Sequence, residues 1–258
     1  MVHNSLNHQA MENIEKLKQH LLSFTCRLVR PVQADFEILG IASGFIVVRS
    51  NVWFLLSAGH ALRKGNWVLE TDVSFESTNE TVAIPLAATT FKSFNLSSPT
   101  AIDLEFAFAV LNRDMLEKQA QKDSRLVGKD FDFVRYIAPL GHEPILQKEA
   151  YSYASWNRAS YELHDGKRQL RREASYEFGM TYQGRSADGR VYHFKLDGRH
   201  KGHEYYDHAS GSPITDPEGK VVSLLLGGDD KTDMLYGLPI KDYLRLLDIE
   251  IHRISSPK

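Results

Sequence analysis

Three residues in this chain have the types and the order needed to activate a hydroxyl: His60, Asp103 and Ser210. A serine hydroxyl is a poor nucleophile at its own pKa and needs a neutral imidazole within hydrogen-bond reach. That imidazole needs a carboxylate on its other nitrogen to fix its tautomer and orient its ring. Ser210 lies in "YYDHASGSPI" (205–214), small and polar residues just ahead of the apolar run "KVVSLLLGG". Such a composition reads as a turn leading into a buried strand. His60 ends "WFLLSAGH", and Asp103 stands between the polar loop "NLSSPTAI" and the strand-like "LEFAFAVL". Each sits at a strand edge, where side chains converge while the strands stay rigid. Taken singly, each also has an ordinary structural reading: a turn serine, a turn-capping histidine, an aspartate ahead of a strand.

The elements that must position them are mostly strands. "FEILGIASGFIVVRS" (36–50), "VWFLLSAG" (52–59), "NWVLETD" (66–72), "TVAIPLAAT" (81–89), "LEFAFAVL" (104–111) and "FDFVRYIA" (131–138) are rich in Val, Ile and Phe. Gly, Asn, Asp and Ser break them, as in antiparallel sandwiches and barrels. The segment from His142 to Tyr182 alternates aromatic and polar residues, with "DG" hairpin signals at 165–166 and, beyond it, at 188–189. Helices are expected at three places. From Ala10 to Phe24, Met11, Ile14, Leu17, Leu21 and Leu22 recur at helical spacing, for packing on the domain or for binding a partner. "RDMLEKQAQKD" (113–123) reads as a short helix, and Tyr243, Leu244, Leu247 and Ile251 form a terminal helical stripe.

At 258 residues the chain can bury about 70–75% of its unfolded surface, enough for one large all-β domain or two small ones. A net charge of −2 gives no overall attraction to nucleic acid or anionic membrane. The basic run "KRQLRR" (167–172), flanked by glutamates, reads as a solvated hairpin arm. Cys26 is the only cysteine, which excludes an intrachain disulfide and a Cys/His metal cluster, and the histidines form no HExxH pair. His200, His203 and His208 share one loop, but turn histidines mostly face solvent or hydrogen-bond locally, so no metal and no cofactor is expected. The N-terminus is polar and mixed in charge, unlike a secretory signal, and no apolar run approaches the roughly 20 residues of a spanning helix. A cytoplasmic, membrane-free protein is expected.

The local contexts narrow the chemistry. "FLLSAGHAL" resembles the Thr/Ser-Ala-Ala/Gly-His segment of chymotrypsin-like (trypsin-like) serine peptidases. "IDLEFAFAVL" resembles their Asp-x-Ala-hydrophobic strand, with Glu105 where a small residue is commoner, and "DHASGSPI" resembles their Gly-x-Ser-Gly-Gly/Ser-Pro nucleophile loop. "GIASGFIV" is similar to a hairpin of the bacterial, HtrA-like members, which lack disulfides. "KVVSLLLGG" resembles the strand lining the primary specificity pocket, and "YGLPIKDYLRLL" the closing strand and terminal helix. The matches run in order from about residue 36 to 250, with 140–200 placed by position alone.

This resemblance implies two six-stranded antiparallel β-barrels, residues 31–125 and 126–258, preceded by a helical segment, 1–30, and closed by a C-terminal helix. The barrels would meet around residues 112–135. His60 would be the general base, Asp103 the orienting acid and Ser210 the nucleophile, with the backbone N–H groups of His208 and Ser210 as the oxyanion hole. Leu226, Gly227 and Gly228 would line the substrate pocket. Glu204 falls at its base by counting, where a carboxylate would favour Lys or Arg, unless it faces water from the polar loop.

Two positions depart from the family pattern. His208 stands where the family has glycine, and Ala209 where secreted members keep an aspartate that pairs with a new N-terminus. The expected activity is endopeptidase cleavage of a protein or peptide substrate, gated by a regulatory partner or a homo-oligomer. The alternative is a peptidase fold that binds without turnover.

Overall fold

In the computed structural model of the protein, residues 2–31, 38–62, 66–74, 81–86, 92–93, 106–112, 114, 137–144, 147, 150–164 and 167–256 are described. The helix expected over 113–123 and most of the strand expected over 131–138 lie outside these residues, apart from Asp114, Ile137 and Ala138.

The N-terminal stripe builds α1, Val2–Phe24, which begins well before residue 10. Leu21, Leu22 and Phe24 are buried at its C-terminal end. The chain then passes directly into β1, Thr25–Pro31, a strand absent from the sequence reading. There follow β2 (Ile38–Arg49), β3 (Val52–Ala58), β4 (Val68–Ser74), β5 (Thr81–Pro85), β6 (Lys92–Ser93) and β7 (Phe106–Leu111). β2 and β3 are joined through Ser50 and Asn51, both at positive φ (49° and 62°), and Arg49 pairs with Val52. Such a two-residue turn matches the twist of the strands it joins.

These seven strands form one sheet in the order β5-β4-β1-β2-β3-β7-β6. Its central strands are buried on both faces, which is why "WFLLSA" reads as a continuous apolar run. Leu55, Ala107 and Ala109 face one cluster with Cys26, Leu28 and Ile46. Phe45, Phe54, Leu56, Phe106 and Phe108 face the other.

The second half closes. β8 (Ala150–His164) and β9 (Lys167–Arg185) form a long hairpin, with His164 paired to Lys167 across the first expected Asp-Gly turn. The second lies between β9 and β10 (Tyr192–Lys195), where Gly189 adopts φ 72°. After α2 (His203–Tyr206) come β11 (Pro213–Thr215), β12 (Val221–Asp229), β13 (Met234–Pro239) and α3 (Ile240–Ser255). The six strands close as β10-β13-β12-β11-β8-β9. Tyr151, Tyr153, Met180, Tyr182, Tyr192, Phe194 and Leu225 fill the barrel, and each fully buried aromatic ring stabilises the fold by about 2–3 kcal/mol.

The double β-barrel expected from the sequence is therefore corrected: the described residues form one closed barrel and one open sheet. Closing a sheet requires its edge strands to pair. The described edges do not meet, since β5 pairs with β4 and the two-residue β6 with β7. The expected N- and C-terminal helices are both present. Among the described residues no helix is long and apolar enough to cross a membrane.

A shared core joins the halves. Leu21, Leu22 and Phe24 of α1, the phenylalanine face of the sheet, Ala154, Val221 and Leu224 of the barrel, and Ile240 and Leu247 of α3 form one cluster. Main-chain bonds span the same seam. Ala138 N–H donates to Ile46 O at 2.7 Å, and Gly141 N–H to Val221 O at 2.8 Å. Arg49, at the end of β2, pairs with Asp248 of α3, its second nitrogen 2.8 Å from Oδ2.

Candidate active site

The Ser210 turn is fixed by its backbone. Ala209 N–H donates to Tyr206 O at 3.0 Å and Ser212 N–H to Ala209 O at 3.0 Å, so the chain reverses within a few residues. Gly211 N–H donates to Leu225 O and Leu225 N–H to Ser212 O, both at 2.8 Å, which ties the turn to β12. The turn also crosses to the open sheet. Ser43 N–H of β2 reaches Ser210 O at 3.4 Å, and Ser43 Oγ donates to His208 O at 3.3 Å.

Gly211 allows this approach. Its φ is 97°, and a Cβ there would lie 2.0 Å from Ser43 O and 2.5 Å from Ser57 Oγ. No other residue fits without moving β2 away.

His208 also adopts the left-handed region, with φ 64°. A residue with a Cβ holds this conformation at a cost of about 1–2 kcal/mol. Among the described residues, neither the His208 nor the Ser210 N–H donates to a main-chain carbonyl. The Ser210 hydroxyl donates to Leu226 O at 2.8 Å.

His60 opens a 3-10 turn, His60–Leu62, immediately after β3 and Gly59. Its residue surface is exposed, while Leu62 is buried and donates its N–H to Gly59 O at 3.3 Å. Ser57, three residues before His60, donates Oγ to Ser43 O at 2.6 Å, the carbonyl that Gly211 packs against. The end of β3 and the serine turn therefore meet at Ser43.

Asp103, and Glu105 beside it, lie outside the described residues. β7 begins three residues after Asp103, at Phe106, which pairs with Ala58, two residues before His60. These described strand ends thus lie side by side.

The expected pocket strand carries an irregularity between Leu225 and Gly227 that sets Leu226 out of the ladder. Beside Gly227 the space is open, whereas a Cβ on Gly228 would meet Leu235 Cδ2 at 2.7 Å and His200 Nε2 at 2.9 Å. Glu204 is exposed on α2, so it has no dry surroundings in which to strengthen a charge pair. The neighbours of Glu204 explain its direction. Tyr205 Oη donates to Tyr176 O and accepts from Tyr176 N–H, both at 3.0 Å, and Tyr206 Oη donates to Glu177 Oε1 at 2.8 Å. Lys201 Nζ lies 2.9 Å from the same carboxylate.

Sequence reading missed this anchoring of α2 to β9, although the Tyr-Tyr pair next to Glu204 was its visible signal. It read His200 as a solvent-facing or locally hydrogen-bonded turn histidine, with a metal not expected. Among the described residues no three His, Cys, Asp or Glu side chains gather as a metal set. Burial and the nearby His203 hold the His200 imidazole below the usual histidine range, against the opposing pull of Asp230, Asp233 and Asp229.

No family model and no curated protein matches the sequence. Solved structures do match. The structure of GrC superposes with TM-score 0.56 at 13% identity, over 90% of this chain and 95% of that one. Neuropsin, a serine protease expressed in the limbic system of mouse brain, gives TM-score 0.54 at 11% identity, over 90% and 96%. A serine endoprotease from Yersinia pestis gives TM-score 0.51 at 7% identity, over 91% of this chain but 65% of that one. At these identities what the chain shares is the fold, that of the chymotrypsin-like serine proteases.

Proposed function

We propose that the protein is a serine endopeptidase in which His60 takes the Ser210 proton as Oγ attacks the scissile carbonyl. The observation that carries this reading is the Gly211 contact, which seats the serine turn against the β2–β3 end leading to His60. Asp103 would hold the imidazole tautomer. The N–H groups of His208 and Ser210 would receive the oxyanion, and His60 would then protonate the leaving amine before water releases the acyl group. Because the Ser210 hydroxyl donates to Leu226 O, attack requires it to rotate toward His60. A substrate, a regulatory partner or a second copy would trigger that rotation.

The same hydroxyl contact favours a second reading, a binding module that uses the cleft without turnover. Peptide-cleavage kinetics separate the two. Ser210→Ala and His60→Ala should each abolish cleavage while leaving the fold intact. Asp103→Asn should cost on the order of 10⁴ in kcat, the effect seen when the orienting carboxylate of such a triad is lost. Cleavage that persists in S210A removes Ser210 from the role. A D103N protein keeping more than about a tenth of kcat, far from that loss, removes Asp103.

A further inference from the structure

Ser43 of β2 meets the serine turn with both its N–H and its hydroxyl. The N–H reaches Ser210 O at 3.4 Å, and Oγ donates to His208 O at 3.3 Å. The same Oγ lies 2.8 Å from Ser155 Oγ of β8. A hydroxyl has one hydrogen to give. That of Ser43 goes to His208 O, so Ser155 is the donor within the pair. Both serines are fully buried, at 0% exposure, where a hydroxyl loses stability if it lets its partner go. The Ser155 bond therefore holds the Ser43 hydroxyl in one orientation.

The bond to His208 O matters because of the peptide link it holds. The link between His208 and Ala209 has its carbonyl on Ser43 Oγ and its N–H on Tyr206 O, at 3.0 Å. It is pinned from the open sheet at one end and from α2 at the other. The link before it carries the His208 N–H, and the link after it carries the Ser210 N–H. Turning the middle link would re-aim both.

Resting on the peptidase reading for the use of those N–H groups, we propose that Ser155 and Ser43 are positioning residues for the oxyanion. Ser155 orients the Ser43 hydroxyl, and the Ser43 hydroxyl fixes the middle link so that both N–H groups point to one place before substrate arrives. Neither serine touches the reacting atoms. Donors fixed in advance stabilise developing charge without rearranging, so losing Ser155 should slow the chemical step and leave ground-state binding alone. Ser175 is the matched control. It is the cross-strand partner of Ser155, is buried to 1% exposure, and accepts from Tyr153 Oη at 3.4 Å.

The test measures fluorophosphonate inactivation of the wild type, S155A, S43A, the double variant and S175A, separating the maximal rate from the half-saturating concentration. S155A leaves every main-chain bond of Ser43 in place. It should lower the maximal rate about tenfold and keep the half-saturating concentration within about twofold, as for an interaction used only in the transition state. In the S43A background the same change should have no further effect, because Ser155 acts through Ser43. S175A should label within about twofold of the wild-type rate. Amide hydrogen exchange read by NMR supplies a measure that needs no chemistry. The Ala209 N–H should exchange about tenfold faster in S155A and S43A, and at the wild-type rate in S175A. S155A labelling at the wild-type rate, an S155A effect undiminished in S43A, equal slowing in S175A, or unchanged Ala209 exchange overturns the assignment. A wild type that never labels, with Ala209 exchange still dependent on Ser155, removes the peptidase and leaves the clamp. Wild-type labelling at Ser210 that is indifferent to Ser155 does the reverse.

Discussion

The turn carrying Ser210 and the end of β3, which leads to His60, meet at one carbonyl, that of Ser43, yet the Ser210 and His60 turns are held in different ways. The serine turn is locked by main-chain bonds to β12, a left-handed His208 and a glycine whose missing side chain admits Ser43 O. The histidine turn is a single 3-10 turn anchored by buried Leu62, with His60 itself exposed. Ser210 is thus placed by backbone geometry, which tolerates few substitutions. His60 follows a turn anchored by side-chain packing, which degrades gradually.

Gly211→Ala should break the serine turn outright. The overlap with Ser43 O and the positive φ combine to a loss on the order of 4 kcal/mol. Urea unfolding would register this as a lower midpoint, together with loss of labelling at Ser210. A G211A protein of unchanged midpoint would mean that the turn and the sheet are not in contact. On the other side, Leu62→Ala should cost about 2–3 kcal/mol through its cavity. It should slow cleavage without abolishing it. Complete loss of cleavage in a folded L62A protein would erase the contrast between the two turns.

Part of this arrangement was legible in the sequence. The strands from β2 to β5 and β7 announced themselves because each is an apolar run between turn residues, and α3 because Tyr243, Leu244, Leu247 and Ile251 repeat at helical spacing. β1 was not visible, because helix passes into strand between Phe24 and Thr25 with no Gly or Pro to mark the change. Closure was not visible either. Local periodicity gives the faces of a strand but not whether distant edges such as β5 and β6 pair, so a barrel and an open sheet read alike. Counting from Ser210 located Glu204 along the chain. Its direction is decided by the bonds of Tyr205 and Tyr206 to β9, nearly thirty residues earlier. His200 stood out in the sequence as one of several loop histidines; its bonded Nδ1 and its buried Nε2, without a partner among the described residues, show only in the structure.

Two smaller effects sharpen the comparison. His208→Gly should relieve the left-handed strain and raise stability by up to about 1 kcal/mol, the steric gain being partly offset by the freedom glycine adds to the unfolded chain. A lower melting temperature would show that the His208 side chain contributes more than its backbone costs. The smallest effect is the pH dependence of His200. Its folded pKa lies below the unfolded value, so the unfolded chain binds more protons between the two. Stability should therefore be fully present above about pH 6.5 and decline as pH falls toward the folded pKa. His200→Phe should flatten that part of the profile. A slope unchanged in H200F would assign it to another group.

The central claim is that the joined turns form a nucleophile site at Ser210, and fluorophosphonate labelling followed by peptide mapping tests it most directly. The account predicts a single adduct on the peptide containing Ser210, lost in S210A and H60A. An adduct on any other serine, or equal labelling of S210A, would contradict it.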